Sequence, residues 1–217
     1  MESISYLSYK ECQEHDQFLI KNGTDMPLLI SQAGTLISKW LEKNTKNKPL
    51  VGIIGKGNNG KDILSAFKQL NSNQKKYIYI VDNKIKTSIL YQEVISSTKE
   101  IKALTEIPAD AFIIDGIFGT GLNKKIDLKI ASIINTLNSM NNEIIAIDIP
   151  SGLSETENST CIKAKITLTM MFPKKVFLDK QKAIYYGEVF WLNFQLNKEQ
   201  KKSYRLPITT DNYIRII

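Results

Sequence analysis

The 217 residues suffice for one domain with a full core, and 42% hydrophobic with 24% charged residues is an ordinary globular mixture. Lys plus Arg outnumber Asp plus Glu by 29 to 22, giving a charge of +7 that suits an anionic ligand, a nucleotide or a nucleic acid, although a solvated lysine surface explains the same excess. Two distant cysteines, a lone histidine and no C-x-x-C exclude a zinc centre and a disulfide framework, and no leader segment or apolar run of about 18 residues points to secretion or a membrane span, so a cytoplasmic setting is expected.

In chain order, Ser8-x-x-Glu11 is a capping-box pattern and predicts a helix through about Lys21, stopped by Asn22-Gly23. Pro27 suits the first turn of a second helix, continued by "LLISQAGTLISKWL". After a polar loop the rhythm changes to short apolar runs separated by helices. Strands are predicted at Leu50–Ile54, Tyr77–Val81, Ala111–Asp115, Glu143–Asp148, Ala164–Met170, Val176–Leu178 and Glu188–Phe194, with a helix at "DILSAFKQL" after the first. Continuous apolar strands are buried on both faces, so the reading is a single domain over 1–217, a three-layer α/β/α Rossmann-like sandwich with a mostly parallel sheet. The tail from Asn197 onward has no clear pattern.

Ligands of such sheets sit outside the carboxyl ends of the strands. The loop after the first strand, "GKGNNGKD", meets two phosphate-binding patterns at once. As G-x-x-x-x-G-K it is a P-loop start, but a P-loop needs Ser or Thr where Asp62 stands, because a hydroxyl ligates magnesium there. As G-x-G-x-x-G it is a dinucleotide turn, with Asp82 ending the second strand as a ribose-binding acid, yet Lys61 and Asp62 stay unexplained. A third reading uses every residue: amide oxygens of Asn58 and Asn59 and the Asp62 carboxylate suit a hard monovalent cation, and helix-start amides hold an anion beside it. A plain glycine turn for tight packing remains the ordinary alternative.

Two further loops carry acids at strand tips. "IIDGIFGTGLNKKI" has Asp115 before Gly116, Gly119 and Gly121, with Lys124 and Lys125 after them. "AIDIPSGL" has Asp148, a stiffening Pro150, the Ser151 hydroxyl and Gly152. The strand-tip rule places Asp62, Asp115 and Asp148 around one crevice, where three carboxylates repel unless positive charge sits between them.

In this order and spacing, "GKGNNGKD", "IIDGIFGTGL" and "AIDIPSGL" resemble the YjeF N-terminal domain family of NAD(P)HX epimerases, and "IKAKITLTMMFPKKVFL" and "GEVFW" extend the resemblance. It implies a Rossmann-like fold, a homodimer, a bound potassium ion (K+), and epimerisation of hydrated NADH or NADPH at C6 of the reduced ring. Carried over by motif, Asn59, Asp115 and Ser151 would be potassium ligands. Asn58, Asn59, Gly60, Lys61, Asp62, Gly119, Thr120, Gly121, Leu122, Asn123, Lys124, Lys125 and Asp148 would contact the substrate, with Lys174 near the pocket. Asp115 is assigned to proton handling or electrostatic stabilisation of an iminium ion, and Asp148 to binding.

Two departures stand out. Lys61 replaces a family glycine, and Ile30-Ser31-Gln32 replaces Met-Glu-Asn in the second helix. A separate ADP- or ATP-dependent dehydratase would complete the repair. The competing classes are a non-catalytic ligand- or RNA-binding member of the same fold and a P-loop NTPase. No Arg-rich run or stacking platform favours the RNA partner.

Overall fold

The computed structural model describes residues 4–122, 125–156, 160–194, 198–203, 205–207 and 209–217. Helix α1 (Tyr9–Lys21) begins at Ser8 in a complete capping box with Glu11. Helix α2 (Met26–Asn44) carries proline in its first turn. Strand β1 (Leu50–Ile54) and helix α3 (Asn58–Gln69) follow, then β2 (Lys76–Ile80), α4 (Ile89–Val94), β3 (Lys99–Ile101), β4 (Phe112–Gly116) and α5 (Leu128–Ser139). The chain continues through β5 (Ile144–Ile147), β6 (Ile166–Thr169), α6 (Ala183–Tyr186), β7 (Glu188–Leu192), α7 (Lys198–Ser203) and β8 (Tyr213–Arg215).

One eight-stranded sheet runs in the order β3-β2-β1-β4-β5-β6-β7-β8, parallel except for the antiparallel β7–β8 pair. The sheet is covered on both faces, as a three-layer α/β/α sandwich requires. Leu50, Ile54, Ile114, Ile145 and Ile147 pack with α2 and α3, whereas Val51, Ile53, Ile113 and Ala146 pack with α5. The period-two alternation is therefore intact, although every residue of β1 is buried.

The structure differs from the sequence reading at three elements. Val176–Leu178 is not a strand but part of a 3₁₀ turn over Lys175–Leu178, with Val176 and Phe177 buried and Leu178 exposed. Three apolar residues carry too little periodicity to separate a strand from a turn. β3 has the sequence Lys-Glu-Ile, so its charge hides it. The tail supplies β8, where Tyr213 meets Trp40 of α2 with ring centroids 6.4 Å apart.

Candidate functional site

The glycine loop after β1 is the start of α3. Gly57 is its N-cap, and Asn58, Asn59 and Gly60 form the first turn. A Cβ on Gly60 would lie 2.2 Å from the Gly55 carbonyl oxygen, and one on Gly55 would lie 2.1 Å from that of Ile117. Gly60 thus permits close backbone approach within the first loop, and Gly55 permits it between that loop and the Asp115 loop. Lys61 sits in α3, and the non-glycine residues with positive φ among those described are Lys46, Asn47, Asp148, Met171 and Arg205, so lysine replaces glycine there without backbone strain.

A cavity of about 690 Å³ opens at the carboxyl edge of the sheet, the predicted edge. Asn58, Asn59, Asp62, Gly119, Thr120, Gly121, Leu122, Lys125, Asp148 and Lys174 all line it. Gly60, Lys61, Asp115 and Ser151 do not. Asn123 and Lys124 lie outside the described residues. Ser31 and Gln32, the departures in α2, are absent from its wall, whereas the neighbouring Ile30 and Ala33 line it. The Ser31 carbonyl instead accepts hydrogen bonds from Thr35 and Gln69.

Asp115 lies behind the wall. It is fully buried, with Oδ1 accepting from Ser151 Oγ at 2.6 Å and Ile117 N at 3.2 Å, and Oδ2 from Ser151 N at 2.8 Å. Burial holds its carboxyl up at about 6 although these three donors pull it down. The expectation that Asp115 handles the substrate's proton directly is therefore corrected: its oxygens are engaged and screened from the cavity. The three-acid crevice is corrected likewise, because only Asp62 and Asp148 of that trio face it.

Ser151 is the hub behind the wall. Its Oγ also accepts from Phe118 N at 2.9 Å. The Phe118 carbonyl in turn accepts from Asn59 Nδ2 at 2.9 Å, and that amide reaches Ile147 O at 3.0 Å. Asn59 Oδ1 is left buried with no partner. A buried acceptor without a donor is costly, and this oxygen, linked to the buried Asp115 carboxylate through Phe118 and Ser151, is of the chemistry that a hard monovalent cation takes. Among the described residues, no group of three or more His, Cys, Asp or Glu side chains could hold a metal ion.

Asp148 follows β5 in the left-handed region, at φ 69°. Its Oδ1 pairs with Lys174, whose side chain is 3% exposed and whose Nζ also donates to Thr169 Oγ1 at 3.0 Å and Met170 O at 2.9 Å. All three N–H groups of Lys174 are thus committed. Lys174 lines the cavity and holds Asp148 rather than being free to seize a ligand. Asp62 is 7% exposed, and among the described residues no donor reaches it. Burial and the charges of Asp148 and Asp16 push its carboxyl well up.

Helix α1 is the wall that sequence reasoning missed. Tyr9 OH donates to Leu153 O at 3.0 Å and Gln13 Nε2 to Thr120 O at 2.5 Å, while Leu7 N donates to Pro173 O at 2.9 Å and Leu7 O accepts from Lys175 N at 2.8 Å, on either side of Lys174. Cys12, Gln13 and Asp16 line the cavity. A signal was present: Asp16 lies four residues after Cys12, the one buried residue of α1, and so on the same face.

A family model, described as YjeF-related protein N-terminus, matches residues 28–176. The chain belongs to that family. Among relatives of this YjeF-related chain, the NAD(P)H-hydrate epimerase of Oenococcus oeni is 27% identical over 184 residues, covering 78% of this chain and 86% of that protein. The NAD(P)H-hydrate epimerase of Plasmodium vivax is 25% identical, covering 92% and 74%. The bifunctional NAD(P)H-hydrate repair enzyme Nnr of Dictyoglomus turgidum is 30% identical over 75% of this chain, which spans only 34% of that protein. The crystal structure of yeast ynu0, YNL200c, shares the YjeF-type fold with a TM-score of 0.78 at 16% identity, over 98% of this chain and 100% of that one.

Proposed function

We propose that this chain is an NAD(P)H-hydrate epimerase, an isomerase that interconverts the R and S forms of hydrated NADH or NADPH. The observation that carries the reading is the cavity wall itself: the Asn58–Asn59 helix start, the Gly119–Leu122 turn and the Asp148–Lys174 pair share one cleft. The C6 carbon of the hydrate bears both nitrogen and hydroxyl. Loss of hydroxide leaves a cationic iminium ion, and water can return to either face. Carboxylates aimed at that cation stabilise it where it forms.

Asp148 faces the cleft and sits close enough to Gly119 that a Cβ there would lie 3.2 Å from its Oδ2. The helix start of α3 offers backbone N–H groups to the pyrophosphate. The P-loop alternative has no support in this geometry, because Lys61 is off the cavity wall and Asp62 is on it.

Asn59 Oδ1 and Asp115 are the groups that would hold K+, with Ser151 fixing Asp115 in place. The ion would supply fixed positive charge that balances the buried carboxylate. Such an ion stabilises the folded chain by mass action, so KCl should raise the melting temperature above that in LiCl, and Asn59→Ala should abolish the difference. A homodimer, a cytoplasmic setting and pairing with an ADP- or ATP-dependent dehydratase complete the proposal; the bifunctional name of the Dictyoglomus turgidum relative supports the pairing. The deciding experiment is incubation of the protein with pure (R)-NADHX and chromatographic separation of the epimers. Accelerated appearance of the S form supports the reading, and a rate equal to the enzyme-free control rejects it.

A further inference from the structure

The inner cavity holds more acid than its cation can balance. Asp16 from α1, Asp62 from α3 and Asp148 after β5 share its wall with Lys174. That lysine is used up by Asp148, Thr169 and Met170. Among the described residues no hydrogen bond or ion pair reaches Asp16 or Asp62. Lys56 is engaged elsewhere, 3.5 Å from Asp82. Lys125 and Asp127 line the loop that leads to α5, and Cys12 lies one turn away on α1. Lys61 opposes the shift of Asp62 from the preceding position in α3, but it is outweighed by burial and the Asp148 and Asp16 charges. Three like charges around the committed Lys174 ammonium are unfavourable, so protons must occupy part of this set near neutral pH.

Asp62 and Asp16 differ in access. Asp62 is 7% exposed at the base of α3, whereas Asp16 is an exposed residue on the cavity wall. A proton on Asp16 can exchange with water, and one on Asp62 is shielded. The side chain that reloads from solvent is the one suited to repeated acid–base work.

We propose that Asp16 is the proton-exchanging group of the epimerisation site, facing the C6 hydroxyl of the bound nucleotide hydrate across the cavity from Asp148. This rests on the epimerase reading above. The Asp16 carboxylic acid gives its proton to the C6 oxygen as the C6–O bond breaks. The bonding electrons leave with that oxygen as water, and the ring nitrogen's lone pair closes the C6=N bond. Water then attacks C6 on the other face, forming the new C6–O bond and shedding a proton to the Asp148 carboxylate. That proton returns to the Asp16 carboxylate through the released water, so atoms and charge balance over one turn.

Although the Asp16 residue as a whole is exposed, its carboxyl is partly desolvated against the cavity wall; that desolvation and the Asp148 charge push it up to about 6, with Lys174 opposing, which lets both protonation states exist near neutrality. Helix α1 is fixed for the task by the bonds from Tyr9 to Leu153 and from Gln13 to Thr120. Asp16 also precedes the segment matched by the family model, which begins at residue 28.

The test is steady-state epimerisation of (R)-NADHX by wild type, Asp16→Asn, Asp16→Glu and, as a neighbouring exposed control, Gln17→Ala. Asp16→Asn should lower kcat by about 100-fold or more while KM changes less than about threefold, the range general acid–base catalysis supplies. The fall of kcat/KM as pH rises through about 6 should vanish in Asp16→Asn and return in Asp16→Glu. An unchanged melting temperature separates this from unfolding. The proposal is overturned if Asp16→Asn keeps kcat within about threefold of wild type, or loses kcat but keeps the pH limb, which marks a structural role. A wild-type protein without epimerisation overturns the underlying reading instead.

Discussion

Replacing Asp148 by Asn isolates the buried ion pair from the backbone that presents it. Asp148 sits at φ 69°, a conformation that Asn tolerates nearly as well as Asp, so the substitution deletes charge without adding strain. Lys174 is 3% exposed and keeps only Thr169 Oγ1 and Met170 O once its carboxylate is gone. Stranding a buried charge by removing its partner costs about 3–5 kcal/mol, and the Asn amide oxygen can still accept one bond, which favours the lower end. For a domain of this size about 3 kcal/mol lowers the melting temperature by about 6–12 °C. Asp148→Ala should fall further by about 1–2 kcal/mol, because alanine bears the left-handed conformation poorly. Lys174→Met removes the stranded ammonium, so the double variant Asp148→Asn/Lys174→Met should recover at least about 2 kcal/mol relative to additivity. The assay is urea unfolding of the four members of this cycle at pH 7. A coupling energy under about 0.5 kcal/mol would show that the pair does not hold the site together, and the reasoning would fail.

Asp115→Ala should lower the epimerisation rate by at least about 100-fold, measured by chromatography of the two hydrates, because a buried preorganised charge behind the iminium ion is lost. Asp62→Asn should become more stable relative to wild type as pH rises. The folded Asp62 carboxyl titrates well above its unfolded value, so wild type takes up a proton on folding and loses up to about 1.4 kcal/mol per pH unit until the folded carboxyl ionises. Parallel denaturation of both proteins from pH 5 to 8 reads the sign, and a difference constant with pH refutes it. Gly60→Ala should destabilise by about 2 kcal/mol or more, since its Cβ would meet the Gly55 carbonyl at 2.2 Å and backbone cannot swing aside; thermal melting tests this.

Much of the architecture was legible because its causes are local. Leu50–Ile54 is a strand with the bounds its sequence predicts, since five residues without a polar side chain before a glycine turn have few other uses. The Ser8–Glu11 box opened α1 as predicted, because capping is decided within four residues. The cavity lay at the predicted edge of the sheet, since parallel strands expose their loops together there. What failed were properties of the third dimension. A strand-tip rule names the edge of the sheet but not the side of the strand. Asp115 shares the parity of Ile113, whose side chain packs toward α5, and Ser151 fastens it there, so it turned out to lie behind the wall. Asp16 and Gln13 reach the cavity only because α1 is laid across loops more than a hundred residues away; the four-residue spacing from Cys12 puts Asp16 on the inner face of α1 but does not record which loops that face meets.

The loops that make the Asp148–Lys174 pair each contain a non-glycine residue with positive φ, Asp148 after β5 and Met171 after β6. Strain of this kind persists only where neighbouring contacts over-determine the backbone. Here they do: Asp148 N is held by Leu168 O at 2.8 Å, Trp191 Nε1 holds Met171 O at 3.1 Å, and Lys174 ties the two loops through Asp148, Thr169 and Met170. The segment carrying Lys174 is in turn clasped by Leu7, at the entry to α1. The helix that supplies Asp16 and the loop that supplies the Asp148 counter-charge are therefore one mechanical unit. A shift of α1 would loosen Lys174, and a lost Lys174 would unseat the residues facing Asp16, so Leu7→Pro, which removes the N–H that Pro173 accepts, and Lys174→Met should show a coupling energy above about 0.5 kcal/mol in urea unfolding.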